Sequence, residues 1–357
     1  MRKAVSLLAL LAITACAGGS GGGLQSAPIM PAGPTTSSRS TDLKTPVSAA
    51  ATTWYVRVGG VFDDTAVQNL DFFADTITID AGDSVTYKVD GNFGGDAHTV
   101  AFVPKGMPIP SPLDPNDVVP AGPNSVDGTT FVNSGILVGG QSYTLAFPKA
   151  GTYRILCLFH EPAMESTVVV HAAGAPYPHT QQYYDQAGQA DQAQGTAAAV
   201  QSLALFPFKN GGTHMAAGID PGLVNPVPPD SGILRFIDDS AYSRLADSSG
   251  NITIKVGTVL TWTNETSNEP HTITFPMAGQ HKVPNIPPDP PIIPRVNKSG
   301  VPVYDGTQIV NSGSLMGLAK FGLPQSFSLQ FVTPGTYEYF CVYHYNSGMH
   351  GTITVVQ

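Results

Sequence analysis

The chain repeats itself, and this constrains its folding more than any other feature of its 357 residues. ITIDAGDSVTYKV in the first half answers to ITIKVGTVLTWTN in the second, and AHTVAF answers to PHTITF. DGTTFVNSGIL pairs with DGTQIVNSGSL, with six residues from Asp to Asn in both copies. KAGTYRILCLFHEPAMEST pairs with TPGTYEYFCVYHYNSGMHGT, again with six residues from Gly to Cys. Blocks that recur in one order mean one folding unit used twice.

The unit is built of strands. WYVRV, TITIDAGDSVTYKV, HTVAFV, QSYTLAF, GTYRILCLF and STVVVH are short runs rich in β-branched and aromatic residues, several with alternating polarity. GILRFI, NITIKV, TVLTWTN, HTITF, QSFSLQF, GTYEYFCVY and GTITVV repeat the theme. With 31 Pro, 38 Gly and only 12% charged residues, many turns and little long helix are expected. Each copy carries a Pro-rich interval, from Pro104 to Gly128 and again at VPNIPPDPPIIPRV. Loops of that length are usually functional or packed. PGLVNPVPPDS, early in the second copy, also reads as loop.

The chemistry gathers in GTYEYFCVYHYNSGMHGTI, residues 335–353. Two residues separate Cys341 from His344 and four separate His344 from Met349, so thiolate, imidazole and thioether can converge from one loop. Soft sulfur paired with imidazole suits copper, and a trigonal His₂Cys site with a distant Met is an electron-transfer geometry. His271, in SNEPHTITF, is the obvious supplier of the second imidazole. A buried free cysteine by itself commonly behaves as a small apolar residue, and Met often just fills core space. The conjunction of all four residues points instead to a metal.

An upstream Pro-His, then Gly-Thr-Tyr-x-Tyr-x-Cys-x-x-His, then Met before Gly-Thr and a final strand, resembles the plastocyanin branch of the cupredoxins. The resemblance implies His271, Cys341 and His344 as equatorial copper ligands and Met349 as the axial one. The repeat carries the same roles to His98, Cys157, His160 and Met164. It implies an all-β fold of two tandem cupredoxin (Greek-key β-sandwich) domains with a short helical connector, two type 1 coppers, and one-electron transfer with protein redox partners. The copies differ: three residues separate His160 from Met164, and Ala97 stands where the second copy has Pro270. Thr99 and Thr272 follow the upstream histidines, and Asn133 and Asn311 recur in Asn-Ser-Gly turns, which turn chemistry explains as well as site chemistry does.

Copper oxidoreductases of the nitrite reductase and multicopper oxidase kinds also combine cupredoxin domains, and in both a His adjoins the type 1 Cys. Here the neighbours are Leu156, Leu158, Phe340 and Val342, with no His-Cys-His or His-x-His element. His171, His179, His214, His281 and His350 are dispersed candidates for an additional catalytic copper. Copper sensing, storage or delivery without electron relay is the third alternative. The formal net charge is −9, and the absence of a basic run or aromatic-interleaved patch argues against nucleic acid as a partner.

The start of the chain reads as an address. MRKAVSLLALLAITA, residues 1–15, has the basic start and short apolar run of an export signal, and Ile13-Thr14-Ala15-Cys16 resembles a bacterial lipobox with Cys16 as the lipidated residue. Residues 16–51 are Gly, Ser, Thr, Pro and Ala with few large apolar side chains, the composition of a disordered tether. The expected layout continues with domain 1 over 52–172, an Ala/Gln-rich, partly helical connector over 173–212, and domain 2 over 213–357. Such a protein would be exported and held by its lipid at a membrane facing the periplasm or cell exterior.

Overall fold

The structure, a computed structural model, describes residues 50–62, 67–90, 97–206, 213–224, 231–238, 250–267, 269–281 and 286–357. The segments expected to be an export signal and a tether lie outside them, apart from the tether's last two residues, and so does the lipidation candidate Cys16.

Alternation of side chains builds each half. In Ser84–Val89 the inward residues Val85, Tyr87 and Val89 are buried while Ser84, Thr86 and Lys88 face outward. Glu165–His171 does the same with Ser166, Val168 and Val170. Side chains of a strand point to opposite faces in turn, so each such strand covers a core with one face. The first core gathers Trp54, Val56, Phe72, Tyr87, Leu145, Phe147 and Ile155. The second gathers Phe236, Leu260, Trp262, Phe275, Leu329 and Tyr339.

Each core lies between two sheets. In the first half one layer consists of Thr76–Asp80, Glu165–His171, Gly151–Leu156, Ala101–Phe102, Val132–Ser134 and Pro120–Ala121. The corresponding layer of the second half runs Ile252–Lys255, His350–Val356, Gly335–Phe340, Thr274–Phe275 and Val310–Asn311. The other layers are not separate. They form one nine-stranded sheet, in which Ser231–Asp238 of the second half pairs antiparallel with Val67–Phe73 of the first. Residues Ser48–Gln357 accordingly make one compact unit in which two sandwiches share a sheet.

Two strands at this junction are absent from the strand runs read in the sequence. Val67–Phe73 is buried at every position, so it shows no alternation, and its Gln68, Asn69 and Asp71 resemble loop residues until their partners are known. His214–Ile219, at the start of the second half, has five consecutive buried residues after His214. A strand covered on both faces loses the polarity pattern by which a half-buried strand is recognised.

The connector is a helix, Gln181–Leu205, capped by the Thr180 side chain, which accepts from the Tyr183 N–H. It is docked more deeply than an exposed linker would be. Tyr184, Gly188, Gly195, Ala199, Ser202 and Leu203 are buried, and Leu203 and Ala199 pack with Val67, Ile219, Ile233 and Ile237 from both sides of the junction. Gly188 is required there: a Cβ at this position would lie 2.7 Å from Cβ of Phe73. The small residues that weaken the helix in isolation let it lie close on the shared sheet.

Candidate copper sites

Each half brings its upstream histidine to the loop that follows its penultimate strand. In the first, His98 forms a bridge with Leu137, its N–H donating to the Leu137 carbonyl at 2.9 Å and its carbonyl accepting at 2.8 Å. Cys157 follows the strand Gly151–Leu156, and its N–H donates to the Met164 carbonyl at 3.1 Å. The Met164 N–H donates to the His160 carbonyl at 3.0 Å, so the loop from Cys157 to Met164 is closed twice by its own backbone. In the second half the Cys341 N–H donates to Met349 and the Met349 N–H to His344, both at 3.0 Å. The extra residue of this loop is taken up in a 3₁₀ turn, Tyr345–Ser347, which ends at Gly348 with φ 83°.

The ligand atoms meet in two triangles. Nδ1 of His98 lies 3.2 Å from Nδ1 of His160, and Sγ of Cys157 lies 4.0 and 3.4 Å from them. In the second triangle Nδ1 of His271 and Nδ1 of His344 are 3.0 Å apart, and Sγ of Cys341 is 3.8 and 3.5 Å from them. An atom centred in either would stand about 2 Å from all three, a bonding distance for nitrogen and close to that for thiolate. His98, Cys157, His160, His271, Cys341 and His344 are all buried, and both cysteines are free. Met164 and Met349 are fully buried in the same cores as Cys157 and Cys341.

The surroundings favour thiolate over thiol. Burial alone would push the Cys157 thiol up, but the charge of His160 and hydrogen bonds from His160 and His98 outweigh it and hold the group well below its ordinary range. Cys341 behaves alike: burial opposes ionisation, and His344 and His271 overcome it. A backbone donor also points at each sulfur, from Thr99 at 3.3 Å and from Thr272 at 3.4 Å. The threonine hydroxyls tie the ligand loops down by accepting from the Leu158 N–H at 2.7 Å and the Val342 N–H at 2.8 Å. The threonines left open by the sequence are therefore part of the site's framework.

So are the asparagines. Nδ2 of Asn133 donates to the carbonyls of Asp117 and Val119 at 3.2 and 3.0 Å, and Nδ2 of Asn311 donates to Pro287 and Pro288 at 3.2 and 3.0 Å. Each pins its Pro-rich loop to a strand beside the site. In both halves a side-chain amide thus satisfies backbone carbonyls of the loop.

Three further features escape the sequence reading. Gly59 and Gly218, with φ of 61° and 71°, stand at register shifts in their strands and lie against the upstream histidines. A Cβ on Gly59 would come within 2.2 Å of Nε2 of His98, and one on Gly218 within 2.5 Å of Nε2 of His271. The glycines set the depth at which each imidazole sits. The third feature is Glu269, two residues before His271 and 2% exposed. Its Oε1 lies 2.7 Å from Nε2 of His160, and its Oε2 lies 3.1 Å from Nε2 of His344. Nε2 of Gln68, on the junction strand, donates to Oε1 at 3.0 Å. Burial would raise this carboxyl, but His160 and His344 hold it well below the usual range. Glu269 is unremarked in the sequence because its partners lie in two different halves.

The other histidines are placed apart from one another. His179 stacks on Tyr183 with ring centroids 3.7 Å apart, Nε2 of His214 meets the Thr263 hydroxyl at 2.8 Å, and Nδ1 of His281 lies 2.7 Å from Glu338 at an exposed position. His350 packs against the Tyr345 ring, and His171 is the exposed last residue of the strand Glu165–His171, opposite Asp80. Among the described residues the two triangles are the groups of three or more His, Cys, Asp or Glu able to hold a metal ion.

Comparison with known proteins agrees with this geometry. The sequence pattern of the copper binding proteins of the plastocyanin/azurin family matches residues 61–171 and again 239–356, together more than half of the chain. The plastocyanin of Scenedesmus fuscus is 34% identical over 106 residues, covering 29% of this chain and 81% of its own. Among solved structures, a reduced amicyanin variant is 23% identical and covers 35% of this chain and 87% of its own, with a TM-score of 0.23. An oxidised amicyanin variant is 20% identical over 33% of this chain and 82% of its own, also with a TM-score of 0.23. With its family pattern matched twice and a His₂Cys triangle in each half, this chain belongs to the plastocyanin/azurin family of copper-binding proteins and has two copper sites.

Proposed function

We propose that the protein is an extracytoplasmic one-electron carrier with one type 1 copper in each half. His98, Cys157, His160 and Met164 would hold the first, and His271, Cys341, His344 and Met349 would hold the second. Copper in such a set supplies a Cu(I)/Cu(II) couple. The observation that carries this reading is the pair of buried triangles, whose donor atoms already stand at ligand spacing. Backbone and side-chain hydrogen bonds fix every one of their loops, so a change of charge at the centre demands little movement of the chain. Such rigidity suits electron transfer, in which no bond to a substrate is made.

The decisive experiment is copper titration of the wild type, Cys157→Ser and Cys341→Ser, followed by visible absorption and EPR. Two thiolate-to-copper bands, each lost with its own substitution, are expected. A copper signal that survives both substitutions, with turnover of nitrite or dioxygen, would replace the carrier with an oxidoreductase.

The partners we infer are redox proteins that donate and accept single electrons. The export signal and Cys16 support attachment to a membrane by a lipid rather than a span, and no helix among the described residues is long and apolar enough to cross one. Mass spectrometry of the mature N-terminus tests this: an acylated Cys16 is expected, and an unmodified chain retaining or cut away from Cys16 would refute it.

A further inference from the structure

We propose that Glu269 couples the two copper sites into one two-centre unit, joined through the Nε2 edges of His160 and His344, so that an electron passes internally between the halves. This rests on the reading that each half holds a copper. Both Nδ1 atoms face their own triangles, which leaves the opposite ring edges of these two ligands turned toward a single carboxylate. A ligating histidine commonly donates its second N–H to a carboxylate, which fixes the ring and raises its basicity. Here one carboxylate serves a ligand from each half. The connection runs from one ring through Nε2, Oε1, the carboxyl carbon, Oε2 and Nε2 into the other ring, with two hydrogen bonds as its only noncovalent steps.

The surroundings suit a bridge. Glu269, His160 and His344 are nearly inaccessible, with side chains 3–4% exposed, so water does not compete for these contacts. Gln68 donates to the carboxylate from the strand that joins the two halves of the shared sheet. The Glu269 carbonyl accepts from Nδ2 of Asn264 at 2.7 Å and from the Thr266 hydroxyl at 3.0 Å, so the residue is held at its backbone as well.

Charge points the same way. A Cu(II)–thiolate centre carries one net positive charge and a Cu(I)–thiolate centre none. One carboxylate therefore balances the pair when one centre is oxidised and one reduced, the state in which an electron can move between them. Uncompensated charge is costly in a buried setting, and a bound ion is the largest local charge there. In the exchange one electron leaves Cu(I) and arrives at Cu(II), oxidising the first and reducing the second. No bond forms or breaks, and both Nε2 protons stay where they are.

The test uses the full copper-loaded chain, Glu269→Gln and Glu269→Asp. Copper content and both thiolate bands are measured first. Each site's reduction potential follows, and then the rate at which a substoichiometric pulse of radiolytic electrons redistributes between the sites. Glu269→Gln removes the negative charge and cannot accept from both imidazoles, so both potentials rise and redistribution slows about tenfold or more, the scale on which groups that orient ligands act. Glu269→Asp keeps the charge but shortens the reach, so it slows redistribution with a smaller change in potential, and it serves alone if Glu269→Gln does not fold. In the Cu(I) form, proton–nitrogen NMR should show both Nε2–H groups in the wild type and one perturbed in Glu269→Gln.

Unchanged potentials together with redistribution within twofold of the wild-type rate, in a Glu269→Gln variant that keeps both bands, would overturn the bridge. A wild type with both bands but no redistribution would also overturn it while leaving the carrier function intact. A wild type lacking two bands would remove the copper reading itself, and the bridge with it.

Discussion

Gly59→Ala is the sharpest probe of how the fold sets a ligand in place. Its φ of 61° is a left-handed conformation, which costs a residue with a Cβ about 1–2 kcal/mol. The greater effect is local. The added Cβ would stand 2.2 Å from Nε2 of His98, so relief of the overlap requires ring or strand to retreat by about 1 Å. Nδ1 belongs to the same rigid ring, and metal–ligand distances tolerate about 0.2 Å. The first triangle therefore opens, while the second keeps its own glycine and imidazole. Titration against a competing copper chelator should find one copper bound as in wild type and the other about 10- to 100-fold more weakly, with loss or shift of the band assigned to Cys157. Gly218→Ala should give the mirror result, because a Cβ there would meet Nε2 of His271 at 2.5 Å. Two coppers at wild-type affinity and an unchanged spectrum in Gly59→Ala would refute the claim that this glycine sets the depth of His98.

Thr272→Val keeps the backbone donor to Cys341 but removes the hydroxyl that accepts from the Val342 N–H at 2.8 Å. It should cost about 1–3 kcal/mol in denaturant unfolding and broaden the EPR signal of the second copper, with the first unaffected. Asp83 gives a pH prediction away from the metals. Burial would raise its carboxyl, but hydrogen bonds from the Thr52 and Asp80 N–H groups, the Trp54 indole and the Tyr177 hydroxyl bring it below its ordinary value. Since the folded pKa lies below the unfolded one, its contribution is fully present above about pH 4 and is lost as pH falls through the depressed value. Asp83→Asn should unfold more easily at pH 7 and show a shallower loss of stability on acidification. Parallel acid profiles for variant and wild type would sink that account.

Much of the site is legible in the chain because it is written twice. Cys157 and Cys341 keep fixed spacings to the histidines that follow them, and the repeat identifies the more distant His98 and His271 by position. The strands that carry these residues show alternation, since one of their faces meets a core and the other does not. Val67–Phe73 and His214–Ile219 lack that signature because both of their faces are covered in the assembled protein. Asn133 and Asn311 look like turn residues, and only the path of the Pro-rich loops shows that their amides strap those loops down.

By itself the sequence determines that there are two β sandwiches, each with its own His, Cys, His and Met in order, because local spacing and strand periodicity are properties of short segments. The tertiary structure decides how the halves are joined. Only when Ser231–Asp238 pairs with Val67–Phe73 does Gln68 come to Glu269, and only then do His160 and His344, separated by most of the second repeat, meet the same carboxylate. The pairing of one strand edge with another depends on surfaces that exist only after each half has folded, so no local pattern in the chain announces it.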